Sequence, residues 1–461
     1  MKPNILFFVF DSLRADKFYG KFKTAKTPNF DKLMENGVYF EQAIASADAT
    51  VLALNSIFNA TFPFATGVRT WKIILTENNF LDFLKKSGYN MYGLMPDLTM
   101  FSKISDCFVN DDKFYQAIAP FSVHPFISNA KTIIKNISTN NLTKPWFYYL
   151  HSEEFHWPLD SPEDFDNEKY GDNRYDRMLA LVDHWLGKIF EEIDMKNTII
   201  IITSDHGQHI PFDEKGMRFF EPEFKKEIEV GKKIMPKFTH KIGAKMIVKV
   251  RDGITKKRLK KANEGLTPFQ KRSRLPHTSL SVFDETVRVP LLISGFNLDP
   301  KIIPDQVRSI DIFPTIIDLL GFKRRHKFHG RSLVPFFRNE SLEELPVYMH
   351  TNPHIKITTD DKVGIRTSKY KYFRGVNPGE NVNLYDLKND PQENYNIASN
   401  NPQIVEEMEN ILENLSSETQ KDDYEEEISQ EEMKRMESEL KELGYLDEDE
   451  NLTSDDMNSN K

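Results

Sequence analysis

Two carboxylates and three imidazoles stand where runs of apolar, β-prone residues end. Asp11 follows "NILFFVF". Asp205 and His206 end "TIIIITSDHG", and His151 and His156 flank "SEEF" in "KPWFYYLHSEEFHWP". Carboxylates and an imidazole at strand ends can make a compact site for a divalent cation. Oxygen-rich sites suit Mg²⁺, Ca²⁺ or Mn²⁺, and an added imidazole shifts the balance toward Zn²⁺ or Mn²⁺. Asp11, Asp205 and His206 are the expected metal ligands. Neutral His151 and His156 can serve a leaving-group oxygen or a second ion. His277, in "RLPHTSLSVFDETVRVP", precedes a strand and is a further candidate for the same site. Taken singly, each has a plainer reading: Asp205 and His206 as caps of the next segment, the other histidines as loop residues.

Thr50 opens "TVLALNSIFNA", whose apolar residues recur at helical intervals. A helix N-terminus presents free N–H groups and the positive end of the dipole, so it attracts anions. A free threonine hydroxyl is a poor nucleophile, but metal coordination can make it an alkoxide. The competing reading is a simple N-cap, with Asp48 as a rival for that place.

Elements of two kinds must position these residues. "NILFFVF" and "TIIIITS" are continuous apolar runs, as in strands buried on both faces. "TPNFDKLMENGVYF" reads as a capped helix then a strand, and "NFLDFLKKSGYNMYGLM" as helix, Gly88 stop and strand. "RYDRMLALVDHWLGKIFEEI" is an amphipathic helix, "VRVPLLISG" a strand and "SIDIFPTIIDLLG" a short helix. Strands alternating with helices predict an α/β fold, a mostly parallel sheet sandwiched by helices. Ligands of such sheets bind beyond the carboxyl ends of the strands, which is where the candidate residues gather. From about residue 346, "VYMHTNPHIKITTDDKVGIRTSKYKYFRG" reads as short antiparallel strands and "PQIVEEMENILENL" as a helix. The expected division is a catalytic α/β domain over 1–345, a small α+β subdomain over 346–416, and an acidic tail over 417–461 that is part helix, "SQEEMKRMESELKELGYL", and part disorder.

Charge is unevenly spread. The formal net charge is -9, yet about 213–275 is strongly basic, as in "DGITKKRLKKANEGLTPFQKRSR", while the chain after about 417 is strongly acidic. Opposite blocks of this kind read as interaction surfaces or as solvated segments, and the basic insertion suits a polyanion or an acidic surface. A single cysteine, Cys107, excludes an internal disulfide and fits a reducing compartment. No segment approaches the roughly 20 apolar residues of a membrane span, and a cytoplasmic location is expected.

The motifs, in order, resemble the sulfatase family of the alkaline phosphatase superfamily. "PNILFFVFDSLRAD" looks like its first strand and first metal aspartate, and "TPNFDKLMENGVYFEQA" is similar to the family's "TPNLDRLAxxGVxFxxA". "ATVLALNSIFNATFP" falls at the nucleophile motif, "PWFYYLHSEEFHWPL" at the strand leading to an "HxPY"-type histidine, and "TIIIITSDHG" at the second metal-binding strand. "VFDETVRVPLLISG", "SIDIFPTIIDLLG", "FHGRSLVPFF" and "NLYDLKNDPQENYNIA" follow in the family's sequence, and "LKELGYL" resembles a tail of some members. The likeness covers about residues 3–415 with two insertions. It implies an alkaline-phosphatase-like fold, a divalent cation on Asp11, Asp205 and His206, the nucleophile position at Thr50 and an ester-contacting role for His156. Arg14 lies near the first metal motif and carries no implied role.

Four departures alter the implied chemistry. Family sulfatases oxidise a Cys or Ser to formylglycine, an aldehyde that Thr50 cannot give. The motif's proline and arginine are Leu52 and Leu54. The second aspartate of the usual pair is Ser12. The basic residue expected before "VFDE" is out of register, with His277 nearest. Threonine does occur at this position in relatives that move phosphoryl groups, including phosphodiesterases and phospho-headgroup transferases. The sequence thus points to a metal-dependent hydrolase of sulfate or phosphate esters that can transfer phosphoryl through Thr50. The alternative is a catalytically degenerate member that binds an anionic polymer or surface through its basic insertion.

Overall fold

A computed structural model of the chain describes residues 2–68, 72–116, 125–138, 142–156, 159, 161–213, 215–220, 240–276, 279–322, 328–351, 361–417 and 429–442. The chain divides into two compact units. One comprises Met1–Gln208, Leu280–Pro391 and Asn396–Lys461; the other comprises His209–Ser279 and Gln392–Tyr395.

In the first unit, eight strands form one sheet: β1 (Asn4–Phe10), β2 (Gly37–Ile44), β3 (Asn90–Pro96), β4 (Phe114–Tyr115), β5 (Trp146–Ser152), β6 (Thr198–Ser204), β7 (Arg288–Gly295) and β8 (Lys301–Arg308). Their order is β4-β3-β5-β1-β6-β7-β2-β8. β1 pairs in parallel with both β5 and β6, and β3 pairs in parallel with β5. β7 alone runs against its neighbours, β6 and β2. The mostly parallel sheet expected from the alternating pattern is therefore present.

The apolar runs are explained by burial on both faces. All seven residues of β1 are buried. Phe7 and Val9 join a cluster with Phe58, Phe80, Phe147, Tyr149 and Ile201. The alternate residues turn to the other face, where Phe10 meets Phe30 and Phe155 edge-on at 6.3 and 5.6 Å. A side-chain period of two makes these opposite faces of one strand.

A second, antiparallel sheet has the order β12-β11-β10-β9: β9 (Val347–His350), β10 (Lys362–Arg366), β11 (Tyr370–Gly375) and β12 (Asn383–Asp386). It packs with helix Pro402–Ser417, through Met408 and Leu412, and with Ile44 and Val287 of the first sheet's region. A buried ionic knot fastens the two sheets. Arg366 of β10 donates from Nε and Nη2 to the two carboxylate oxygens of Asp284, each at 2.9 Å, and from Nη1 to Gln306 of β8 at 2.6 Å. Lys371 also reaches Asp284. Burial favours the neutral acid at Asp284, but Arg366 and Lys371 outweigh it and hold the carboxyl well below its usual range.

The second unit contains helix His240–Ala262, and a capping box between Thr267 and Gln270 starts helix Pro268–Arg272. Arg274 lies over the rings of Phe212 and Phe220 at 5.0 and 5.3 Å. Lys256, Lys257, Arg258, Lys260 and Lys261 are exposed on the long helix. Among the described residues no helix is long and apolar enough to cross a membrane.

Removing one partner of a buried, hydrogen-bonded ion pair leaves the other charge uncompensated, at a cost of about 3–5 kcal/mol. Arg366→Ala is expected to lower the unfolding free energy by about that much in urea titration. A loss below about 1 kcal/mol would mean that the knot does not fasten the sheets.

Candidate metal and nucleophile site

The parallel register sets the site. Val9 is paired with His151, and Phe10 with both Ser152 and Ser204. The strands β5, β1 and β6 therefore end at one level, and the next residues turn over the same edge. Asp11, His151 and Asp205, all buried, each offer a ligand atom, and these atoms lie within 4.8 Å of one another. His206 borders the same point: its Nε2 is 3.6 Å from Asp11 Oδ1 and 3.8 Å from Asp205 Oδ2. His156, on the turn after β5, places Nε2 3.6 Å from the same Asp11 oxygen. His277 lies outside the described residues.

Thr50 reaches this cluster from another direction. Helix Thr50–Asn59 starts at the sheet edge, and Thr50 Oγ1 lies 3.4 Å from Asp11 Oδ2 and 3.4 Å from His206 Nε2. The N-cap is Ala49, and no side chain caps this helix. The cap reading of Thr50 is thus corrected. It occupies the first helical position, where its hydroxyl is free to face the carboxylates. Asp48, the rival cap, instead accepts a hydrogen bond from the Ser281 N–H at 2.8 Å.

Neighbouring groups fix the orientation of each ligand. His206 Nδ1 lies 2.8 Å from the Gly207 carbonyl, which can only accept, so this nitrogen carries a proton and Nε2 is the one aimed at the carboxylates. Ser12 donates from Oγ to Asp11 Oδ1 at 2.6 Å, and its N–H lies 3.4 Å from Asp205 Oδ1. Ser12 has φ of 67°, a left-handed turn that carries the chain over the strand end. Tyr149 Oη lies 3.0 Å from His151 Nδ1, and Tyr115 Oη donates to the His151 carbonyl at 3.0 Å. Arg14 grips Asp16 through Nε and Nη2 at 2.8 and 2.7 Å and stays behind the site.

Sequence reasoning missed Ser12 as an orienting group and Tyr149 altogether. Tyr149 lies two residues before His151 on one strand, hence on one face, and that spacing was its only signal.

The electrostatics fit a cation. Burial favours the neutral form of Asp11, but His156, His206 and His151 outweigh it and hold the carboxyl at about 2. At Asp205 burial wins, with Asp11 adding repulsion, and the carboxyl rises to about 7 although His206 pulls the other way. Burial lowers His151 to about 4. Two buried polar atoms, His151 Nε2 and Asp205 Oδ2, have no hydrogen-bond partner. Buried polar atoms are seldom left so, and an ion is one ordinary explanation. The donor set, two carboxylates and neutral imidazoles, suits Mn²⁺ or Zn²⁺ as well as Mg²⁺ or Ca²⁺.

Gly207 must be glycine for this arrangement. A Cβ there would lie 2.3 Å from the Glu285 carbonyl oxygen. Gly207→Ala is therefore expected to shift His206 and weaken Mn²⁺ binding by about 10–100-fold, as changes behind metal ligands do. Isothermal titration of the metal-stripped chain measures it, and unchanged affinity would show that His206 need not hold its place.

Comparison with known proteins follows the same lines. The Sulfatase family model matches residues 3–322, and the model for the C-terminal part of N-sulphoglucosamine sulphohydrolase matches 279–421. Arylsulfatase K of Mus musculus is 29% identical over 145 residues; the match spans 30% of this chain and only 26% of that protein. A solved 2-O GAG sulfatase superposes with a TM-score of 0.62 at 18% identity, covering 91% of this chain and 92% of the other. The phosphonate monoester hydrolase of Agrobacterium radiobacter superposes with a TM-score of 0.61 at 16% identity, covering 90% and 96%. With its family model matched across most of its length and its motifs gathered on one sheet edge, the chain belongs to the sulfatase family.

Proposed function

We propose that this chain is a metal-dependent ester hydrolase of sulfuric or phosphoric esters, and that it works through Thr50 on phosphorus. The observation that carries the reading is the place of Thr50 Oγ1, 3.4 Å from both Asp11 Oδ2 and His206 Nε2 at the start of a helix. Asp11, Asp205, His206 and His151 are the residues that would hold the cation. When bound, a divalent cation lowers the pKa of a coordinated hydroxyl and neutralises charge on the ester oxygens. The first N–H groups of the Thr50 helix favour the same anionic oxygens.

Thr50 Oγ attacks the phosphorus in line. The Thr50 hydroxyl proton passes to solvent, the Oγ–P bond forms as the bond to the leaving oxygen breaks, and His156 gives a proton from Nε2 to that oxygen, to be regained from the water that attacks next. Water then cleaves the phosphothreonine, releasing phosphate and restoring the hydroxyl. An aldehyde hydrate is out of reach for threonine, because its β-carbon carries a methyl group. Sulfothreonine lacks the second hydroxyl by which a hydrated aldehyde expels sulfate, so phosphorus is the favoured centre. Arylsulfatase and phosphonate monoester hydrolase relatives support an oxyanion ester as substrate at the family level.

A second reading is supported by the exposed cations of helix His240–Ala262, Lys256, Lys257, Arg258, Lys260 and Lys261. Here the protein binds a polyanion or acidic surface through that helix and has lost turnover. Metal content and salt dependence separate the two. The enzyme reading expects a stoichiometric divalent ion after purification, and the binding reading expects none, with polyanion affinity falling steeply in salt.

The deciding assay uses sulfate monoesters, phosphate monoesters and phosphodiesters, each with Mg²⁺, Mn²⁺, Ca²⁺ and Zn²⁺. Thr50→Ala is expected to reduce turnover by at least about 10³-fold. His156→Gln is expected to cost about 10²–10⁴-fold on alkyl leaving groups, and less on nitrophenyl esters that need no proton. Phosphothreonine at position 50, trapped by acid quench and found by mass spectrometry, is the expected intermediate. Full metal-dependent turnover by Thr50→Ala would remove the nucleophile assignment.

A further inference from the structure

Helix Gln430–Glu442 is separated by hundreds of residues from the parts of the chain it touches. Ser429 caps it: the Ser429 N–H and hydroxyl donate to Glu432 Oε2, each at 3.0 Å, and the Glu432 N–H returns to Ser429 Oγ at 3.2 Å. Its inner face buries Met436 and Leu440. Two of its carboxylates then bind two different segments, one packed against His151 and one held by the Thr50 helix; these are the two walls that it touches.

The first wall is the turn after β3. Glu439 accepts from the Thr99 N–H at 2.9 Å and from the Thr99 hydroxyl at 2.9 Å, filling the start of the short 3₁₀ turn Thr99–Phe101. Arg435 ties the same turn through Asp97 Oδ1 at 2.8 Å and steadies Glu439 at 2.8 Å. That turn ends in Phe101, whose ring packs edge-on against His151, centroid to centroid 4.8 Å. A single turn of three residues thus connects Glu439 to the ring packed against His151.

The second wall is the segment 72–76. Glu432 Oε1 lies 2.6 Å from Nζ of Lys72, a residue only 2% exposed. This contact ties the helix to the segment through a buried lysine. The Lys72 segment is in turn held by the Thr50 helix: Asn55 and Asn59 donate to the Ile74 carbonyl at 2.8 and 2.7 Å, and Asn59 Oδ1 accepts from the Thr76 N–H at 2.9 Å. The Ile73 N–H, donating to the Met100 carbonyl at 3.3 Å, joins the two walls.

We infer that helix Gln430–Glu442 is a clasp, with Glu432 and Glu439 as positioning residues that hold the Thr50 helix and the His151 wall in register. One helix binding both walls makes their order cooperative. Loosening one carboxylate releases the helix, and the release is felt at the other wall. The inference rests on Asp11, His151, Asp205 and Thr50 being the working site, while the coupling itself is measurable without any substrate.

Hydrogen–deuterium exchange on the full chain tests it, comparing wild type with Glu439→Ala, Glu439→Gln and Glu432→Ala. Release of a docked element raises exchange in all that it protects. Glu439→Ala is expected to speed exchange by at least about tenfold at Ile73 and Thr76 as well as at Thr99, with little change in melting temperature. Mn²⁺ affinity should fall in the same variant. Glu439→Gln keeps a carbonyl to accept from Thr99 and should stay near wild type. Glu432→Ala should speed exchange at Thr99, the wall it does not touch. Faster exchange at Thr99 alone in Glu439→Ala, with Ile73 and Thr76 unchanged, would overturn the clasp. So would coupled exchange with Mn²⁺ affinity unaltered. A wild-type chain that binds no Mn²⁺ would contradict the metal site instead, and the exchange pattern would still decide whether the helix couples the walls.

Discussion

Asp11 and Asp205 offer ligand atoms within 4.8 Å of each other in a buried setting. Like charges so close and so dry cannot both ionise without a counter-charge. Burial pushes both carboxyls up; His156, His206 and His151 outweigh it at Asp11 and hold that carboxyl low, whereas at Asp205 burial prevails, with Asp11 adding repulsion, and the carboxyl rises. A divalent cation would remove the conflict, and the residues that would hold it are placed by the fold. Parallel pairing of β5, β1 and β6 brings the ligands to one level. The Gly207 carbonyl sets the His206 tautomer, Ser12 steadies Asp11, and Tyr149 sits against His151. The fold supplies an edge, and the second sphere of hydrogen bonds supplies direction.

Against this edge, the nucleophile motif is one place where the chain departs from the family pattern. Leu52 and Leu54 are 1% and 0% exposed and pack into the main apolar cluster. The positions of the family motif's proline and arginine are here core positions. Thr50, at the first helical position, is turned toward the carboxylates. Ser12 likewise replaces a carboxylate by a hydrogen-bond donor, which removes one negative charge from the site. On the proposed reading, one carboxylate fewer and a threonine that cannot give an aldehyde both favour phosphoryl transfer through a hydroxyl.

Much of this was legible in the sequence because it depends on local rules. Unbroken apolar runs identify β1 and β6, and a charged residue directly after each marks the sheet edge as a site. Asp11, His151, His156, Asp205 and His206 could be named that way, and the structure gathers them. The helical spacing after Thr50 gave the helix and its first residue but not its cap, because capping depends on backbone torsions that residue types only bias; Ala49 at ψ of 152° is the cap. Tyr149, Ser12 and Glu439 were not legible as partners. Each acts through a contact whose other half is set by the tertiary fold, and the Glu439–Thr99 pair spans 340 positions. The acidic character of the C-terminal segment suggested a solvated helix and tail. Two of its carboxylates are instead the means by which the helix is held.

The central claim is that a divalent cation sits between Asp11, Asp205 and His206 with the Thr50 hydroxyl at its open side. Anomalous scattering from crystals grown with Mn²⁺ measures this directly. The expected result is a peak about 2.0–2.3 Å from oxygens of Asp11 and Asp205 and from His206 Nε2, with Thr50 Oγ1 at similar range. A peak away from the strand edge, or none at saturating Mn²⁺, would contradict the account.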